Sequence, residues 1–327
     1  KPMNPLLHTL PQADPNTESA VLFDLIIIGS GPGGMSAAIC AARADLKILI
    51  IEKAMPGGSL STAFKISNVT GFPDGIMGPD MAKQMEGHMM RYPIQYTNAY
   101  VDYIQAQPDQ QRCCVTTHIN TRYYSKYVIL ATGLEPKRLD KPFEAQFRGR
   151  GISYFAACDG DTYKNKPIAV IGGGNCACYA AEYLSQFATP VYLIHRSESL
   201  TAVTLLKKRV MENPAIQIMW QTEVIDALGT DRLDSLRVQH NITGQSTWLD
   251  VTVAFVYSGR IPNQATRNFG VHCDEDGFII TDEYMQTSMP RVYAIGDIRA
   301  KDIRQVQTAL SDGMIAAVTI SKRLTYA

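Results

Sequence analysis

The stretch FDLIIIGSGPGGMSAAICAARADLKILIIE, residues 23–52, decides the fold of this 327-residue chain. FDLIII (23–28) is a continuous apolar run of strand length, the pattern of a strand buried on both faces of a parallel sheet. GSGPGG (29–34) interrupts it, the small-residue run MSAAICAARA (35–44) reads as a helix, and KILIIE (47–52) reads as the next strand. That strand closes on Glu52, about twenty residues after the glycines, as in a βαβ dinucleotide-binding unit. In such a unit Gly29 makes the tight turn and Gly31 lets the backbone approach a pyrophosphate. Gly34 permits close helix packing, and Glu52 takes a pair of ribose hydroxyls. A strand-to-helix turn without a ligand is the alternative.

The pattern recurs. PIAVI (167–171) is a strand, GGGNCA (172–177) opens a helix that continues through YAAEYLSQF (179–187), and VYLIHR (191–196) is the next strand. Gly172, Gly174 and Ala177 hold the three fingerprint positions. The fold class is therefore α/β, with two Rossmann-like, three-layer domains of the FAD/NAD(P)-binding type, the second inserted into the first. Short linkers are expected near LEPKRLD (134–140) and YSGRIPN (257–263). YVILATG (127–133) and VYAIGDI (292–298) are apolar strands ending in glycine turns, and a long helix is expected from about Ile303 to Leu324. Gly296 and Asp297 stand at a strand's carboxyl end, where open parallel sheets bind ligands, and a helix starting near Arg304 would aim its positive end at that ligand. The electron-rich side of a flavin suits that position, so FAD spanning the first unit and the C-terminal segment fits best. A plain helix cap is the other reading of Asp297.

Composition excludes some partners. The 31 basic residues balance 31 acidic ones, so there is no electrostatic footprint for nucleic acid or an anionic membrane. Seven cysteines without framework spacing point to reduced thiols and a cytoplasmic protein. No apolar run reaches transmembrane length, and KPMNPLLHTL lacks the form of a signal peptide. Residues 1–20 read as a flexible arm. No cysteine or histidine cluster has metal-ligand spacing, and no Ser-His-Asp arrangement emerges from the six histidines. Cys176 and Cys178, two apart on a helix, point away from each other, and neighbouring Cys113 and Cys114 face opposite ways on a strand. Cys40 and Cys273 carry no motif.

In order and spacing, GSGPGG, EKAMPGGSL leading to Asn68 and GFP, ATG, AACDG, GGGNCA, HRS, GRIPN, and GDI with RQVQTA resemble the low-molecular-weight thioredoxin reductase family from about residue 22 onward. The resemblance implies FAD in a discontinuous domain, residues 21–137 and 264–327, interrupted by an NADPH-like domain, residues 138–263. It adds Gly58, Asn68, Thr132, Gly133, Arg304, Gln305 and Val306 to the flavin site, and Asn175, His195 and Arg196 to the second nucleotide site. It also implies a homodimer and a redox protein partner such as thioredoxin or ferredoxin.

Two departures from the family pattern bear on function. The family carries Cys-x-x-Cys before Asp-Gly; here Cys158 and Asp159 keep the flavin-facing thiol and the proton-handling acid, while Phe155 replaces the outer thiol. Cys158 as a small packing residue is the alternative. NADPH members set arginines around the 2'-phosphate, but HRSESLTA (195–202) retains only Arg196, with Ser197 and Thr201 at the other two matching positions. The second unit then holds pyridine nucleotide weakly, or nothing, or a second FAD in place of NADPH. The diflavin-linked disulfide oxidoreductases and ferredoxin-dependent flavin enzymes of cyanobacteria are the similar branches. The expected function is a flavin-dependent disulfide oxidoreductase with one active-site cysteine, not NADPH-dependent and fed by ferredoxin. A regulatory flavin-binding pseudoenzyme and a thiol-independent flavin reductase are the alternatives.

Overall fold

The computed structural model describes residues 21–155 and 163–326. The chain forms two compact units: one from residues up to Ser61, Ile66–Glu135 and Ile261 onward, the other from Thr62–Lys65 and Pro136–Arg260.

The first unit is a three-layer sandwich around a seven-stranded sheet. Its parallel part runs in the order Gln95–Asn98, Ile48–Glu52, Leu22–Ile28 and Arg122–Leu130. Isoleucine-rich strands suit this place because β-branched side chains lose little freedom on a pleated surface and both faces are buried. Alternation sorts the side chains into two cores. Leu25, Ile27, Ile48, Ile50 and Ile129 face the helices, where they meet Met35, Ala37, Ala38 and Ala41 of Pro32–Arg43 and Ala316, Ala317 and Ile320 of Val306–Thr325. Ile26, Ile28, Leu49, Ile51, Val128 and Leu130 face the other way, onto Val101, Ile104, Cys113 and Val115 of the antiparallel strands Val101–Gln107 and Arg112–Thr117. Each buried Ile or Leu contributes about 1.5–3 kcal/mol, so register is set by the match of both faces.

The long strand Arg122–Leu130 divides its second edge. Its first half pairs antiparallel with Arg112–Thr117, and its last three residues pair parallel with Val292–Ala294. The C-terminal segment thus returns to the same sheet.

The second unit repeats the plan with five parallel strands in the order Ile152–Ser153, Ala254–Val256, Ile168–Ile171, Val191–Ile194 and Ile216–Met219. Helices Asn175–Leu184 and Thr204–Glu212 cover one face, and an antiparallel meander of Thr222–Leu228, Ser235–His240 and Ser246–Asp250 covers the other. The two crossings between units, Leu134–Pro136 and Arg260–Pro262, pair as a two-stranded ribbon where the sequence suggested plain linkers.

The last helix begins later than its apolar pattern suggests, at Val306 rather than Ile303. Gln305 and Thr308 form a capping box that fixes the start there, and Asp302 to Gln305 lie outside the helix. Among the described residues no helix is long and apolar enough to cross a membrane.

Candidate functional site

The Leu22–Ile28 strand ends in a turn that only glycine fits. Gly29 has φ +102°, and a side chain there would run into the Ala131 carbonyl. Gly34 sits on the first turn of the following helix, and a Cβ on it would collide with the Gly29 carbonyl. Gly31 differs: it caps the helix in ordinary extended backbone, and a Cβ would meet nothing within 4 Å. The turn therefore has an open side at Gly31, next to free N–H groups at a helix start. Glu52, buried at the end of its strand, accepts hydrogen bonds from Ser30 N–H (2.7 Å), Ser30 Oγ (2.9 Å) and Ala54 N–H (3.0 Å). It ties the second strand to the glycine turn. Gly57 N–H donates to the Ser30 carbonyl (2.9 Å), and a Cβ on Gly58 would lie 3.2 Å from Gly31 Cα, so the 52–60 loop folds back on the turn.

Parallel strands carry other segments to the same edge. Leu22–Ile28 leads into Gly29, Ile48–Glu52 ends on the acid, Arg122–Leu130 leads into Thr132 and Gly133, and Val292–Ala294 leads into Gly296 and Asp297. Thr132 Oγ1 is buried with no hydrogen-bond partner, an uncommon state for a hydroxyl unless a ligand completes it. Asp297 lies in a short 3-10 turn, Gly296–Ile298.

The long helix then starts with Val306, and its cap, Gln305, accepts from Asn68 Nδ2 at 3.0 Å. A small apolar cluster of Leu60, Val69, Met81 and Ala82, with Val306 against it, holds the 58–70 loop to this helix start. Arg304 is spoken for: its guanidinium donates to the Asp297 and Arg299 carbonyls (3.2 and 3.1 Å) and lies 3.7 Å from the centre of the Phe278 ring. It holds its own loop. The open face at Gly31, the unsatisfied Thr132 hydroxyl and the helix starts at Pro32 and Val306 suit an elongated, partly anionic ligand such as FAD.

Close helix crossing makes this convergence possible. A Cβ on Gly313 would press into the Gly33 carbonyl and stand 2.9 Å from Ala37 N, and Ser36 Oγ donates to the Leu310 carbonyl at 2.8 Å. Sequence reading missed Ser30, Gly57, Gly313 and Asp312; the last carried a signal, a lone acid within the small-residue run TALSDGMIAA.

In the second unit Gly172 has φ +138°, and a side chain would meet the Tyr257 carbonyl. Gly174 caps its helix in extended backbone, and Ala177 is fully buried beneath it. His195, expected at the strand end, is buried, with its ring over Gly173 and Nε2 donating to the Ser199 carbonyl (2.9 Å); it closes the turn. Asn175 Oδ1 accepts Val203 N–H (2.8 Å), while Thr201 donates its N–H (2.8 Å) and its hydroxyl (3.3 Å) to the Gly173 carbonyl. Arg196 is exposed.

Cys158 and Asp159 lie outside the described residues. Phe155 is described, and the residue is 42% exposed. Of the described cysteines, all free, Cys176 is exposed and Cys178 is buried. Burial pushes the Cys113 thiol up to about 12 and the Cys178 thiol up to about 11, so neither is a nucleophile. No group of three or more potential metal ligands occurs among the described residues.

Residues 23–313 match the family model described as pyridine nucleotide-disulphide oxidoreductase. The chain is 35% identical to thioredoxin reductase of Listeria innocua over 303 residues, 92% of this chain and 93% of that protein. The crystal structure of Lactococcus lactis thioredoxin reductase superposes with a TM-score of 0.88 at 34% identity, covering 93% of this chain and 100% of that one. The T. acidophilum thioredoxin reductase does so with a TM-score of 0.87 at 30% identity, covering 93% and 99%.

Proposed function

The chain belongs to the low-molecular-weight thioredoxin reductase family of flavin-dependent disulfide oxidoreductases, and we propose that it works through a single thiol, Cys158, without NADPH as its preferred donor. The observation that carries the flavin site is the delivery of Gly29–Gly34, Glu52, Thr132–Gly133 and Gly296–Asp297 to one edge of one parallel sheet. Gly31 and the helix start behind it receive the pyrophosphate, Glu52 the ribose, and Thr132, Asn68, Gln305 and Val306 border the remainder. Bound FAD supplies a centre that takes up electrons from a donor and hands a pair on to a disulfide. Cys158 provides the thiolate that exchanges with a disulfide presented by a partner protein such as thioredoxin, and Asp159 holds the proton for the departing thiolate. Because Phe155 leaves no outer thiol, the mixed disulfide forms on Cys158 itself.

The donor reading rests on Ser197 and Thr201. Where a 2'-phosphate would need guanidinium groups, Thr201 turns its hydroxyl onto the Gly173 carbonyl. A one-electron protein donor of the ferredoxin class fits a chain without those arginines. A cytoplasmic homodimer is the family's arrangement and is proposed for this chain.

The deciding measurement is FAD released per chain on denaturation. One FAD supports the reading, two would place a second flavin in the Gly172–Ala177 unit, and a colourless protein that cannot be reconstituted would overturn it. Cys158→Ser should abolish long-wavelength thiolate-flavin absorption and disulfide-directed turnover; survival of both would make Cys158 a packing residue.

A further inference from the structure

The C-terminal helix buries one carboxylate, Asp312, among small and apolar neighbours. Asp312 Oδ2 accepts Gly296 N–H at 2.9 Å and Lys301 Nζ at 2.7 Å, and Oδ1 accepts Arg299 Nη1 at 2.9 Å. The Arg299 and Lys301 side chains are themselves only 12% and 15% exposed. One cation would neutralise the carboxylate, so charge satisfaction alone leaves the second unexplained. Lys301 Nζ also lies 3.4 Å from Thr308 Oγ1, the member of the capping box that pairs with Gln305, and Gln305 in turn accepts from Asn68. A continuous run of polar contacts thus joins the Gly296 amide to Asn68.

We infer that Asp312, Arg299 and Lys301 are positioning residues that lock the Gly296–Asp297 turn in register with the start of the Val306–Thr325 helix. These are two of the segments assigned to FAD above, and the inference rests on that assignment. Asp312 orients the turn by holding the Gly296 peptide. Lys301 carries the constraint across to the helix cap, and Arg299 holds the other carboxylate oxygen in place. Loss of the link would leave the fold standing but let the two segments shift against each other, by an amount a bound flavin registers.

The test titrates FAD into flavin-depleted protein, reads affinity from flavin fluorescence quenching, and records the visible circular dichroism of the bound flavin. Lys301→Met keeps the Asp312–Arg299 pair and the Gly296 bond. It should weaken FAD about tenfold, because the flavin must then order the two segments itself, and alter the dichroism. Lys301→Arg should recover both, and Asp312→Asn should exceed Lys301→Met; if Asp312→Asn does not fold, Lys301→Met decides. Variants that bind FAD with parental affinity and dichroism, even if they melt lower, overturn the inference while the flavin site stands. A parent chain that takes up no FAD overturns both.

Discussion

Replacing Gly31 with alanine separates binding from folding at the first glycine turn. Gly31 has φ −71° and ψ −176°, which any residue adopts, and a Cβ there meets nothing within 4 Å. At a helix N-cap, alanine is less favourable than glycine by roughly 0.5–1 kcal/mol, and the reduced freedom of the unfolded chain returns about 0.4–1 kcal/mol. The flavin-free protein should therefore melt within a few degrees of the parent. In the loaded protein the methyl would occupy the side of the turn proposed above for the pyrophosphate. Displacing one charge-assisted N–H···O contact removes about 1.5–3 kcal/mol, or about 10- to 100-fold in affinity. Gly34→Ala provides the contrast, because its Cβ would collide with the Gly29 carbonyl. Overpacking of that kind costs about 1–3 kcal/mol in stability before any ligand is added. Thermal melts of both flavin-free variants, followed by FAD titration, distinguish the two effects. A Gly31→Ala protein that binds FAD as the parent does would refute the placement of the pyrophosphate, as would a loss of binding fully explained by a lowered melting temperature.

Other expectations follow from particular groups. NADPH at micromolar concentration should bleach the flavin slowly, and Ser197→Arg with Thr201→Arg should improve NADPH binding by about 10- to 100-fold per restored contact; rapid bleaching of the parent would contradict this. Burial would raise the Asp24 carboxyl, but the Lys126 ammonium at 2.8 Å and the Lys47 amide at 2.9 Å outweigh it and hold the group below its usual range. A carboxylate lowered on folding stabilises above its unfolded pKa, and that contribution is lost as pH falls through the folded value. Asp24→Asn should thus be less stable at neutral pH by about 0.2–1 kcal/mol, the small figure fitting a partly exposed pair, and converge with the parent in acid; a difference unchanged by pH would rule the pair out. A thiol reagent at about pH 8 should label Cys176 in the folded protein, while Cys113 and Cys178 react only on unfolding; prompt labelling of Cys178 would contradict its burial.

Local chemistry made much of this protein readable from its sequence. Gly29 and Gly172 announce themselves because φ near +100° or above excludes side chains, and the apolar strands announce themselves because a parallel sheet buries both faces. The strand-glycine-helix order of residues 23–52 is therefore enough for the α/β class. What the sequence could not decide are relations between segments far apart in the chain. It could not place Val292–Ala294 beside residues 128–130, since pairing across an inserted unit leaves no local period. The paired crossings Leu134–Pro136 and Arg260–Pro262 were unreadable for the same reason. The resemblance put His195 at the second nucleotide site, and only the fold shows its ring over Gly173 and its Nε2 on the Ser199 carbonyl. The resemblance put Arg304 at the flavin site, and only the fold shows that Phe278 and two carbonyls engage its guanidinium. Asp312 stood in plain view as an acid in an apolar helix. Only the tertiary structure gave it partners, because a buried carboxylate is stable where cations and a peptide N–H have been folded around it, and those lie 11 to 16 residues away.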